Sequence, residues 1–150
     1  MRRDPHAKDG FTLIELLLVL AIISILASII LVALNPGKQL GKSRDAERQS
    51  AVNTILNAVY QYAVDRNNIP PGIPIDTPRS ICKDNAISCN NGVNLSVLSQ
   101  SGKYLVAIPS DPQAPLGGTG TNYSIVQSAN GRITVSAPGA EQTASISATR

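Results

Sequence analysis

The sequence predicts an α+β chain in which a long N-terminal helix precedes a small antiparallel sheet. Three observations carry that expectation. Residues 11–34 form one apolar run, residues 35–66 repeat apolar side chains at helical spacing, and residues 67–150 turn to Gly, Pro, Ser, Asn and Thr with one strong hairpin signal. At 150 residues there is room for one modest domain beside the run. With no Trp, one Phe and four Tyr, its core has to be built from Val, Ile, Leu and Ala.

Within residues 11–34 every side chain is apolar or small and uncharged except Glu15. As a helix the run is about 36 Å long, enough to span a hydrocarbon layer of about 30 Å with tilt to spare. A buried core helix is excluded because the run is apolar all round and the small aliphatic remainder could not surround it. A secretory signal is excluded because its apolar region is shorter and ends in a small-residue cleavage site, whereas here "LNPGKQ" follows. Orientation is left open by charge, since Arg2, Arg3 and Lys8 in front are opposed by Lys38, Lys42, Arg44 and Arg48 behind.

Pro36 interrupts the pattern, either as a kink or as the first position of a second helix capped by Asn35. Beyond it Val52, Ile55, Leu56, Val59, Tyr62 and Ala63 form an apolar stripe ending near Arg66, at "NNIPPGIP". That stripe needs the C-terminal domain as its partner layer. The charges Lys42, Arg44, Asp45, Glu47 and Arg48 read as a solvated face.

Residues 69–94 read as irregular. "NLSVLSQSGKYL" is expected to hold a short helix with Leu95 and Leu98 on one side, and "IPSDPQAPLGGTG" to be a loop. "NYSIVQS", "NG" and "RITVSAP" predict a hairpin with Asn130-Gly131 as a two-residue turn, which sets Val126 opposite Val135. A further strand is expected at residues 144–148.

Net charge is +3, too small and dispersed to argue for nucleic acid. The lone histidine, His6, and two cysteines are too few for a zinc site. In an exported domain Cys82 and Cys89 read as a disulfide, stabilising by about 2–3 kcal/mol through loop closure; in a reducing compartment they are two free thiols. No paired acids sit close in sequence and no Gly-rich phosphate loop follows a strand, so no enzyme and no cofactor is predicted.

A short basic leader ending in Gly10, then Phe11-Thr12-Leu13-Ile14-Glu15, then about twenty apolar residues, resembles the class III signal of type IV pilins and pseudopilins. "RDAERQSAVNTILNAVYQY" is similar to the exposed half of the long pilin helix, and "GKYLVAIPSDP" to the stretch common before the pilin sheet. The resemblance implies a lollipop fold: one long helix with its apolar half protruding and the other half packed on a small antiparallel sheet. It divides the chain into a leader (1–10), a membrane and filament-core helix (11–34), an amphipathic helix (35–66) and a C-terminal globular domain (67–150).

The resemblance further implies that a prepilin peptidase cuts between Gly10 and Phe11 and N-methylates the new amine of Phe11. The chain is then substrate rather than enzyme. Implied partners are copies of the chain, minor pilins, an inner-membrane assembly platform and an ATPase motor. The implied path runs from a single-pass inner-membrane precursor to an extracellular pilus. Glu15 costs roughly 2.5–3.5 kcal/mol at mid-membrane. After cleavage it lies in the first turns of a helix, where the dipole favours a carboxylate, near the cationic amine of Phe11. Between subunits it would penalise misregistered packing, a registry role for a buried charge. The plain alternative is a residue near the interface that snorkels to water. In two respects the chain departs from the family: Pro36 and Gly37 follow the apolar run instead of interrupting it, and the cysteines lie between helix and sheet.

Two alternatives stand beside the pilus subunit. One is a type II secretion or competence pseudopilin. Major pseudopilins commonly hold calcium, and the scatter of Asp76, Asp84, Asp111 and Glu141 weighs against that reading. The other is a membrane-tethered binding module that never polymerises. DNA binding has only the mild basic balance behind it.

Overall fold

The computed structural model describes residues 10–84, 86, 89 and 91–150. Of the leader, only Gly10 lies within the described residues. The chain divides into two compact units between Gln39 and Leu40.

The first unit holds α1 (Leu13–Leu34) and the opening turn of α2 (Pro36–Arg66). Asn35 separates the helices with left-handed dihedrals of φ 42° and ψ 74°, a conformation that Asn tolerates better than other side-chain-bearing residues. The same residue restarts the chain. Its Oδ1 and its carbonyl both accept from Lys38 N–H, and Pro36 occupies the first helical position, where no N–H is required. Of the two sequence expectations for this point, the restart is the one observed.

In the second unit α2 lays one stripe against the sheet. Gly41, Asp45, Arg48, Val52, Ile55 and Val59 are all buried, at alternating steps of four and three residues. The charge run is therefore not a plain solvated face. Lys42 and Glu47 are exposed, but Asp45 and Arg48 continue the apolar stripe inward.

The sheet has four antiparallel strands in the order β1 (Arg79–Cys82), β2 (Gly120–Gln127), β3 (Ile133–Ala137) and β4 (Ile146–Thr149). Its inner face brings Ile81, Tyr123, Ile125, Ile133, Val135 and Ile146 onto the α2 stripe, with Leu95, Leu98, Leu105 and Ile108 closing the core. A short helix, α3 (Ser96–Ser99), buries Leu98, and Leu95 just before it is also buried. The outer face is polar: Ser80, Ser124, Ser136 and Ser147 form one register row across all four strands.

Two sequence expectations are corrected here. Residues 69–94 are not wholly irregular, because β1 lies inside them. With only four residues and two of them exposed, it carries little alternation to read. The hairpin register also differs: Ile125 pairs with Val135 and Val126 pairs with Thr134. The loop is one residue longer than a two-residue turn, with Gly131 at φ +84° and Ser128 N–H bonded to Arg132 O. A slip of one residue would turn Tyr123 and Ile125 to solvent, so burial of the inner face overrides the turn signal.

Candidate functional site: the N-terminal junction and the exposed helix

Gly10 and Phe11 precede the first helical residue and are exposed. Thr12 stands at the N-cap of α1 with extended dihedrals, φ −79° and ψ 150°. Its Oγ1 accepts from Glu15 N–H at 3.3 Å, and its carbonyl accepts from Leu16 N–H at 3.2 Å. The side chain thereby satisfies one orphan donor of the first turn, and the carbonyl takes the first regular helical bond. Glu15 is the acidic residue of that turn, three positions after the cap, where the helix dipole favours a negative charge.

No side chain of α1 is buried within the chain. Its large apolar residues from Leu13 on run from 45% exposed at Val19 to 84% at Val32. Ser24 and Ser28 return their hydroxyls to the carbonyls of Leu20 and Ile25, so they add no unpaired polar group to the surface. A 22-residue helix that is apolar all round needs lipid or protein around it. It is long and apolar enough to cross a membrane.

The prokaryotic N-terminal methylation motif matches residues 5–31, covering the junction, the cap and most of α1. The chain carries that methylation motif. Competence protein ComGC of Halalkalibacterium halodurans is 29% identical over 73 residues, 49% of this chain and 70% of that protein. Type II secretion system core protein G of Aeromonas hydrophila is 36% identical over 70 residues, 45% of this chain and 46% of that protein. No solved structure matches. Motif and helix together fit a membrane-anchored precursor.

The remaining candidates lie in the second unit. Cys82 and Cys89 are joined as a disulfide, with Cα atoms 5.5 Å apart. The bridge closes the segment that leaves β1, and Cys82 N–H bonds to Val93 O as the chain returns. Lys83 and Asp84, inside the ring, tie later segments to it. Lys83 Nζ donates to Pro115 O, and the Asp84 carboxylate accepts from Ser99 Oγ and Ile108 N–H.

What sequence reading missed is a buried ion cluster. The Arg48 side chain is 0% exposed and donates to Asp111, Asp45, Glu141 and Gln113 at 2.6–3.2 Å. Asp45 in turn accepts from the backbone N–H groups of Glu141, Gln142 and Thr143. Those backbone donors, led by Glu141 and supplemented by Arg48, pull the Asp45 carboxyl down to about 2. Glu141 is also pulled down to about 2, first by Arg44 and then by Arg48. Burial pushes the Tyr123 hydroxyl up to about 12.

Asp111 and Glu141, scattered in sequence, are thus neighbours in space, and the positive charge between them belongs to Arg48. Among the described residues no group of three or more His, Cys, Asp or Glu is arranged to hold a metal. The signal for this cluster was present in the helical period, since Asp45 and Arg48 continue the stripe of Val52, Ile55 and Val59 toward the N-terminus.

Proposed function

We propose that this pilin-like chain is the structural subunit of a type IV pilus. Residues 1–10 act as leader, 11–34 as membrane segment and then filament core, 35–66 as the amphipathic helix, and 67–150 as the globular domain. Prepilin peptidase cuts between Gly10 and Phe11 and methylates Phe11, and an assembly platform with its ATPase motor draws subunits from the inner membrane into an extracellular filament. Glu15 sets the register between subunits by seeking the amine of a neighbouring Phe11. The observation that carries this reading is α1 itself: apolar on every side, exposed along its whole length, and led by a methylation motif. No catalytic role is assigned to the chain, and Cys82–Cys89 is read as a structural bridge.

Mass spectrometry of the N-terminus, on protein from its native membrane, tests it. The expected species begins at N-methylated Phe11. Retention of Met1 or Arg2 would sink the filament reading and favour a tethered module.

A second reading, a pseudopilin of competence or type II secretion, is favoured by the names of the two relatives. Deleting the gene separates the two. Loss of surface filaments supports the pilus, whereas loss of DNA uptake or of a secreted protein with filaments intact supports the pseudopilin.

A further inference from the structure

We infer that Thr12 is a positioning residue for processing: by capping α1 it starts the helix beyond the Gly10–Phe11 bond and leaves that bond outside the helix. This rests on the proposal that Gly10–Phe11 is the processing junction. Cleavage adds water across the amide, so that Gly10 leaves with a carboxylate and Phe11 gains the ammonium. A peptide bond wound into a helix has its faces wrapped by neighbouring residues, whereas one outside the helix is open to attack.

The cap is defined by three observations. Thr12 is extended, its Oγ1 accepts from Glu15 N–H, and its carbonyl takes the first helical bond from Leu16. The sequence also offers a rival. Asp9, three residues earlier, is of a type that caps helices at least as well as Thr. A helix started there would place Gly10 and Phe11 in its first turn and enclose the bond. Gly10, a poor helix residue, weighs against the rival start, and the Thr12 cap adds to that weight. Independently of the cap, the methylation motif spans both start points and the junction.

Only the fraction of precursor with the later start is a competent substrate. Losing the cap should therefore raise apparent KM and leave kcat nearly unchanged. The test is cleavage of the full-length precursor in detergent micelles by a purified prepilin peptidase. Thr12→Ala and Thr12→Val are expected to raise KM by up to about fivefold, the limit set by the typical equilibrium effect of losing an N-cap. Thr12→Ser, Thr12→Asn and Thr12→Asp should stay near wild type, and Asp9→Ala should relieve part of the Thr12→Ala defect. Wild-type KM in the Ala and Val variants overturns the proposal. So does equal impairment by Ser, Asn and Asp, which would mean that the peptidase reads threonine itself. Amide exchange in the same micelles reads the cap without any peptidase: the Glu15 N–H should exchange faster in Thr12→Ala than in Thr12→Ser. Equal exchange also refutes the cap. A wild-type chain that is not cut after Gly10 defeats the processing reading, and the exchange result still reports on the cap.

Discussion

Arg48 Nε lies 2.6 Å from Asp111 Oδ2, with both side chains almost wholly withdrawn from solvent. This contact joins α2 to the loop before β2 across 63 positions of sequence. Around it Asp45 and Glu141 bring in the segment between β3 and β4, so one guanidinium ties the helix to two separate loops.

Removing that guanidinium leaves buried carboxylates without a partner. Arg48→Met should destabilise the chain by about 3–5 kcal/mol, the usual cost of breaking a buried pair from one side. Arg44→Gln removes only a partly exposed pair with Glu141 and should cost about 1 kcal/mol or less. Denaturant unfolding of both variants checks the contrast. Equal losses would show that the cluster does not hold the loops.

The depressed carboxyls make the fold acid-sensitive. Asp45 and Glu141 sit at about 2 in the folded chain, against ordinary values of 3.8 and 4.5. Their stabilisation is fully present above about pH 4.5 and is lost as pH falls toward 2. The unfolding midpoint should drop through that window, and Asp45→Asn should flatten the drop. A pH-independent midpoint between 5 and 2 contradicts the assignment.

The hairpin register can be read from two adjacent residues. Ile125 is fully buried opposite Val135, so Ile125→Ala should cost about 2–5 kcal/mol. Val126 faces outward beside Thr134, so Val126→Ala should cost less than about 1 kcal/mol. The reverse order would restore the two-residue turn.

Reducing the Cys82–Cys89 bridge should lower stability by about 2–3 kcal/mol, from the entropy regained by the open chain. Hydrogen exchange should then quicken at the Lys83 amide, which bonds Thr119, and at the Ile108 amide, which bonds Asp84. Unaltered exchange at both would show that the ring does not position them.

Glu15→Ala should leave cleavage after Gly10 largely intact yet stop or slow filament growth, as seen by electron microscopy of cells. Normal filaments from that variant would remove the registry role. A bulky residue in place of Gly10 should block cleavage itself.

The apolar helix and the amphipathic stripe were both legible in the sequence, because each is written in contiguous residues. An unbroken apolar run with one charge states its environment by composition, and a 3.6-residue period states which face is buried. At Asn35-Pro36 the local pair allowed a kink or a restart, and the structure decided for the restart. The hairpin was legible as a hairpin, but its register was not. The turn letters and the alternation of Tyr123 and Ile125 disagreed by one residue, and the buried face prevailed.

The meaning of Asp45 and Arg48 was decided only in three dimensions. On the helix alone they are two charges in a polar stretch. They become the centre of the domain because the fold delivers Asp111 and Glu141 from far along the chain, and a buried guanidinium is tolerable only with such partners. Thr12 and Glu15 stand at the other limit: four consecutive letters, Thr-Leu-Ile-Glu, hold both the cap and the first-turn acid. What one helical turn can satisfy was determined by the sequence alone, and what needed partners scores of residues away was decided by the tertiary fold.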